Sequence, residues 1–512
     1  MAPSNRLKNI KSILMILSKA ALKKISTVVE IPSDAVFELP EKVLQFGTGV
    51  LLRALPDYYI DKANKKGVFN GRVVVVKSTS NGDTKDFENQ DCLFTICEKG
   101  IANGKIAEKY IINASISRVL SASAEWKKIL ECACSKDMKI VISNTTEVGI
   151  QLLDNDDVNQ QPPVSFPGKL LAFLYKRFQV FNGSPESGML IIPTELIVDN
   201  GKKLKDIVLT LAKQNGLNDS FIEWLKIHNA FCSSLVDRIV PGKPNAEVLD
   251  TITAKFGYID ELYCDTEVFS LWAIEGDEKI KEVLSFAQCD ENVVIQPDIN
   301  LFRELKLRLL NATHTFNCGL AFLSDFNFTR EAMQDESYCA YAKQLMNVEI
   351  VSSIPCEIDS VVKRDFSYKV YERFCNPYIN HQWISITAQY TSKMKMRCLP
   401  LIKQYYKLFN KVPISMAAGF AGFLLFMKSV KFDNGKYWGE HNGKPYLITD
   451  DSAGYFYDCW QKFTPVQLVT EVVNNELLWG ADLKSIKGFD LAVTTFLEKM
   501  IDEGVVKIIT SL

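Results

Sequence analysis

"EKVLQFGTGVLLRALPDYYIDKANKKG", residues 41–67, carries the choice of fold. The apolar run ending at Phe46 reads as a strand, Gly47 and Gly49 as a turn, and the stretch from Val50 onward as a helix. "GRVVVVKSTS" (71–80) follows as a second strand, and its unbroken β-branched run fits burial on both faces of a parallel sheet. "MKIVISNTTEVGI" (138–150) and "GMLIIPTELIVDNG" (188–201) repeat the pattern of an apolar strand ending in small polar residues. Helical stretches at 122–133 and 204–226 intervene. Strands alternating with helices predict an α/β sheet with right-handed crossovers.

From about residue 300 the texture changes. Segments 301–324, 328–347, 400–412, 415–429 and 465–477 have helical patterning, interrupted by the hairpin-like "KFDNGKYWGEHNGKPYLITDD" (431–451). Pro297 and Asp298 punctuate the join. The expected architecture is an N-terminal extension (1–40), an α/β Rossmann-like dinucleotide-binding domain (41–299), and a mostly α-helical substrate and catalytic domain (300–512). Clefts between such domains are common ligand sites.

Composition narrows the function classes. The chain has 512 residues, of which 47% are hydrophobic and 23% charged, and a net charge of −2. No basic field recommends nucleic acid or an anionic membrane as partner. The thirteen cysteines lack the regular spacing of a disulfide framework or zinc knuckle, and are expected to be reduced thiols of a cytoplasmic protein. "NRLKNIKSILMILSKAALKKIS" (5–26) resembles a targeting signal, but its apolar run, Ile13 to Leu17, is too short for a secretory segment and reads as a basic amphipathic extension. No segment has the length of a membrane span.

Two local patterns carry chemistry. "GTGVLLR" (47–53) follows a strand and opens a helix, so Gly47 and Gly49 permit close approach of backbone to a pyrophosphate. The cofactor-binding segment is therefore read as Phe46, Gly47, Thr48, Gly49, Val50, Leu51, Leu52 and Arg53, with Leu52 at the usual third glycine position. The second strand ends in Lys77-Ser78, where an acid would select a free ribose 2′-hydroxyl. Lys77 tolerates a 2′-phosphate, which leaves NAD and NADP both open, or is a solvated strand end.

The second pattern is "ELKLRLLNATHT" (304–315). On a regular helix, at about 100° per residue, Lys306, Asn311 and His314 project near 0°, 140° and 80°, one broad face. A desolvated lysine can give a proton to a carbonyl oxygen during hydride transfer and take it back in reverse, while Asn311 donates a hydrogen bond and His314 orients the partners. The competing reading is a lysine reaching for solvent beside an internal polar pair. A metal in the proton donor's place finds no ligand set: of the four histidines, only His314 stands helically spaced from a cysteine, Cys318, and no third ligand is near.

At these residues the chain resembles the long-chain mannitol dehydrogenase family, from about residue 42 to the end. The marks are "QFGTGVLLRA", "VVVVKS", "QDCLFT", "SNTTEVGI", "IIPTELIVDNG", "FCSSLVDRIVPG", "KLRLLNATH", "RFCNPYINHQ" and "TSKMKMRCLP". The resemblance implies a metal-independent enzyme with Lys306 as general acid/base and Asn311 and His314 polarising the carbonyl. It further implies NAD(H), a cytoplasmic monomer and a sugar-acid substrate, interconverting D-tagaturonate and D-altronate in hexuronate breakdown. Asn144 and Glu147 of "SNTTEVGI" and Arg373 and Asn376 of "RFCNP" are expected on the substrate side. Two departures stand out. Thr194-Glu195-Leu196 replaces the family's "CDN", with Leu196 free to pack, and "TSKMKMR" replaces "S-K-x-P". If that last segment is extended, Lys393, Lys395 and Arg397 point the same way and suit a carboxylate. The alternatives are a mannitol- or fructuronate-type dehydrogenase, or a non-catalytic nucleotide sensor.

Overall fold

The computed structural model describes residues 15–25, 28–79, 82–145 and 149–512. The chain divides into two compact units, one running up to Lys99 and over Ile106–Ile299, the other comprising Gly100–Lys105 and Asn300–Leu512.

The first unit is organised by a six-stranded sheet: β1 (Glu41–Phe46), β2 (Arg72–Lys77), β3 (Ile116–Ser121), β4 (Ile140–Ser143), β5 (Leu190–Pro193) and β6 (Ala230–Phe231). The spatial order is 3-2-1-4-5-6 and every pairing is parallel, the doubly wound arrangement of dinucleotide-binding domains. Strand periodicity explains the two-sided burial. Val43, Val73, Val75, Ile140 and Ile142 pack into one apolar cluster, and their neighbours Leu44, Val74, Val76 and Val141 into another. The strand order reverses between β1 and its flanks β2 and β4, so a crevice opens at their C-terminal ends.

Two expectations about helices are corrected here, and the N-terminal extension acquires a place. Its described part packs on the first unit. Met15–Ile16 pairs in parallel with Tyr258–Ile259, and Leu17, Leu22, Ile25, Val29 and Val36 join a cluster with Leu93, Ile112, Tyr258 and Tyr263. Each such side chain withdrawn from water contributes about 1.5–3 kcal/mol, which binds the segment to the unit. The single helix expected over 204–226 is two, Asn200–Gln214 and Asp219–Ile227; Gly216 turns the chain at φ +61°, and Asn218 caps the second by accepting from the Phe221 N–H. The helix after the glycine loop breaks at Leu55, giving Val50–Ala54 and Pro56–Lys65, since Pro56 has no N–H to continue the ladder.

The second unit is largely helical, with an antiparallel three-stranded insert, Ser429–Asp433, Lys436–His441 and Lys444–Ile448, where the hairpin is expected. Its centre is the almost wholly buried helix Ile414–Phe426 against Thr313–Phe322. A Cβ at Gly319 would lie 2.9 Å from the Gly422 carbonyl oxygen, so glycine here permits backbone contact. Among the described residues three segments wind as π-helix: Lys306–Ala312, Leu345–Ile350 and Met394–Cys398.

Candidate active site

In the first unit, the C-terminal ends of β1, β2 and β4 border a cavity of about 610 Å³, lined by Gly47, Thr48, Gly49, Lys77, Ser78 and Asn144 among others. Gly47 has φ +128°, and a Cβ there would meet both the Asn144 carbonyl oxygen and Leu52 Cδ1 at 2.9 Å. The turn therefore requires glycine, and Leu52 occupies the space behind it. Ser78 Oγ is buried without a hydrogen-bond partner among the described residues, an orphan hydroxyl at the strand end where a dinucleotide ribose would lie. Among the described lining residues none is acidic. Lys77 donates to the Thr79 carbonyl at 2.5 Å, and Lys169 to the Val164 carbonyl at 2.6 Å; burial lowers the pKa of Lys169. The glycine turn, orphan hydroxyl and flanking ammonium groups fit a dinucleotide's pyrophosphate and ribose.

The rest of the glycine segment supports this cavity from behind. Phe46 and Leu52 are fully buried, while Val50 and Leu51 pack on the core. Arg53 donates to the Leu262 carbonyl and lies over the rings of Phe87 and Phe94, so its guanidinium braces the unit and does not line the cavity. Asn144 directs its amide to the Thr194 carbonyl (3.1 Å) and hydroxyl (2.9 Å). Glu147 lies outside the described residues. Glu195, given no role in the sequence reading, accepts from the Thr145 N–H at 2.9 Å, the Thr145 hydroxyl at 3.0 Å and the Ser143 hydroxyl at 3.1 Å. It thereby fixes the end of β4. Its neighbour Leu196 is 61% exposed, so the alternative reading in which it simply packs does not hold.

In the second unit, Lys306 opens the first π-helix, Asn311 lies near its end and His314 follows in the first turn of the succeeding α-helix. This corrects the regular-helix expectation. Bonding from i to i+5 brings residues five apart onto neighbouring positions of one face, as i and i+4 are in an α-helix, so Lys306 and Asn311 lie closer in angle than the roughly 140° of a regular helix. Arg308 holds the winding in place: Nη1 donates to the Met396 carbonyl (2.7 Å) and the Arg397 carbonyl (2.9 Å), and Nε to Glu304 (2.9 Å).

His314 is buried, stacked on Phe374 at 4.3 Å and edge-on to His381 at 5.1 Å. Its pKa is driven well below the usual histidine value, first by burial, then by His381, Arg373, Arg397 and Lys393. The imidazole is therefore neutral at neutral pH, able to donate from one nitrogen and accept at the other. Burial, with Arg373 and Lys393, also lowers the pKa of His381. Arg397 donates to the Thr315 hydroxyl at 3.3 Å, which donates to the Asn311 carbonyl at 2.8 Å, so the cation cluster and the Lys306 helix share a hydrogen-bonded chain. The buried Asn376 accepts from the Tyr378 N–H at 3.0 Å, shaping the turn after Arg373.

Lys395 is a correction. The segment is helical, Tyr390–Lys393 as α and Met394–Cys398 as π, so alternate residues point apart. Lys393 donates to the Ile386 carbonyl at 2.8 Å and Arg397 to the Thr315 hydroxyl, both lowering the pKa of His314, whereas Lys395 donates to the Leu478 carbonyl at 3.1 Å beside a different cavity. His381 is the residue that sequence reasoning missed. The sequence offers it as a possible metal ligand, yet it stands in "RFCNPYINHQ", eight residues from Arg373. Among the described residues no three His, Cys, Asp or Glu side chains gather as a metal site, and no helix is long and apolar enough to cross a membrane.

Comparison with known proteins adds the family. Altronate oxidoreductases of Halalkalibacterium halodurans and Bacillus subtilis are each 34% identical over 475 residues, covering 91% and 92% of this chain and 92% and 95% of their own. An Escherichia coli altronate oxidoreductase is 32% identical over 91% of this chain and 96% of its own. In fold, the chain is similar to Pseudomonas fluorescens mannitol 2-dehydrogenase, solved as a ternary complex with NAD and D-mannitol (TM-score 0.68, 21% identity, 97% of this chain and 99% of that one). It is also similar to a D-sorbitol dehydrogenase (TM-score 0.76, 18% identity, 96% and 99%). The mannitol dehydrogenase Rossmann domain matches residues 41–285 and the mannitol dehydrogenase C-terminal domain residues 298–501. With both halves matched, the chain belongs to the mannitol dehydrogenase family and is an NAD-dependent sugar dehydrogenase.

Proposed function

We propose that the protein interconverts D-tagaturonate and D-altronate, with Lys306 as the general acid/base. NAD, when bound, supplies or accepts the hydride, and Gly47, Thr48, Gly49, Lys77 and Ser78 are the residues that would hold it. In the reductive direction the Lys306 ammonium gives a proton to the ketone oxygen as that carbon is reduced; in the oxidative direction its free amine takes the hydroxyl proton. Asn311 hydrogen-bonds the same oxygen, and neutral His314 positions the neighbouring hydroxyl without adding charge.

The observation that carries the choice of an acidic sugar is the cationic environment of His314, whose pKa Arg373, Arg397 and Lys393 all lower. Such a positive field is relieved by a substrate carboxylate, which a guanidinium can hold through paired hydrogen bonds. The names of the relatives support the same reading. Initial rates of NADH oxidation with tagaturonate, fructuronate and fructose side by side test it. Tagaturonate should have the highest kcat/KM; fructose in first place would overturn the assignment to an acidic sugar. Repeating the tagaturonate series with NADPH should show NADH ahead by a modest factor, since Lys77 does not repel a 2′-phosphate as an acid would.

A further inference from the structure

The second unit contains another cavity, of about 760 Å³, which the reaction does not use. Leu399, Trp479 and Ile486, all buried, form its apolar floor, and Lys395, Lys403 and Lys407 border it. Among the described lining residues there is no carboxylate, although the chain as a whole is slightly acidic. The Trp479 indole N–H is already taken by the Val472 carbonyl at 2.7 Å, so the ring offers the cavity apolar surface. Lys403 and Lys407 stand four apart on the helix Leu399–Phe409 and so share one face.

We propose that this cavity is an effector site for an amphipathic anion: a carboxylate, sulfonate or phosphate carried on a flat apolar body. The body covers the Trp479, Leu399 and Ile486 floor, and the charged group meets the three ammonium groups. The π-helix Met394–Cys398 gives the occupant a route to the reaction. Lys395 on this turn borders the cavity, while Arg397, two residues on, reaches the Thr315 hydroxyl and the surroundings of His314. An occupant that draws Lys395 from the Leu478 carbonyl alters the turn that carries Arg397.

The probe is 8-anilinonaphthalene-1-sulfonate, titrated by fluorescence into the full-length protein saturated with NAD, so that the cofactor cavity is filled. The control ligand is N-phenyl-1-naphthylamine, which has the same rings without the sulfonate. The test variant is Lys403→Glu/Lys407→Glu, at two exposed positions outside the reaction. The wild type should bind the sulfonate at one site, and the variant at least about fivefold more weakly, the scale of two exposed ion pairs lost and reversed. The uncharged control should bind both proteins alike. Equal sulfonate affinity in the two proteins, or no binding by the wild type, overturns the site. A control ligand as sensitive to the substitutions as the sulfonate overturns its anionic character.

The effector role has a separate reading, which rests on the substrate assignment above. Saturating sulfonate should change the KM for the sugar acid at least about twofold in the wild type and leave the variant unmoved. An unchanged KM in a wild type whose cavity is filled overturns the effector role. Failure of the substrate assignment is seen independently, in the assay without sulfonate.

Discussion

Replacing Lys306 by alanine removes the ammonium proposed above to exchange a proton with the substrate oxygen and leaves the glycine turn of the first unit untouched. Lys306→Ala should keep NADH affinity and lose at least about a hundredfold in kcat, the usual scale for a general acid/base. Fluorescence titration and steady-state rates measure the two quantities; near-normal turnover would take Lys306 out of the mechanism. Arg397 makes a different demand. Arg397→Ala should raise the KM for an acidic ketose about ten- to a hundredfold, the equivalent of one charged hydrogen bond, and scarcely affect any rate on a neutral ketose. Equal losses on both substrates would mean that Arg397 serves the fold through Thr315.

At the scale of elements, two of the π turns are tied to one another. Lys306–Ala312 and Met394–Cys398 are joined by Arg308, whose guanidinium satisfies the Met396 and Arg397 carbonyls together. Arg308→Met keeps the apolar stem but leaves both carbonyls without that donor, at a cost of about 1–3 kcal/mol each. The variant should melt several degrees lower and lose at least about fivefold in kcat/KM, because Asn311 and Arg397 lose their mutual register. Calorimetry together with kinetics separates the effects: a lower melting point with unchanged kcat/KM would make Arg308 a brace without influence on the site.

At the scale of the whole molecule, stability is tied to pH through a buried carboxyl. Asp57 follows Pro56 at the start of its helix, is fully buried, and receives the Gln45 amide at 3.1 Å. Burial raises its pKa from 3.8 to about 7. The folded state therefore holds a proton that the unfolded chain releases as pH passes its ordinary value. The stability is present at low pH and is lost as pH rises toward and through about 7. Asp57→Asn mimics the protonated carboxyl at every pH. It should already stabilise modestly at pH 5, just above the ordinary carboxyl value, and more strongly at pH 8, by up to a few kcal/mol on the order-of-magnitude scale of such a shift. Urea unfolding at both pH values gives the comparison, and an equal difference at pH 5 and pH 8 would show that Asp57 is not the titrating group.

What the sequence by itself determined lies in short-range pattern. The valines of β2 alternate between two apolar clusters because a strand's side chains alternate, and Gly47 marks its turn because no side chain fits between Leu52 and the Asn144 carbonyl. Lys306, Asn311 and His314 were legible as a set from residue type and order along one helical segment. Their angular relation was not. That segment winds as π, and Arg308 within it bonds to carbonyls 88 and 89 residues away, contacts that no local pattern records. The same remoteness hid three other facts: Lys395 parts from Lys393 and Arg397, His381 comes edge-on to His314, and Glu195 fastens the end of β4 from the loop after β5. The burial of Leu17 and Val29 was equally invisible, since their partners Ile112 and Tyr258 arrive from distant parts of the chain. Periodicity records only which side of its own element a residue occupies, and the partner awaiting it on that side is supplied by the tertiary structure.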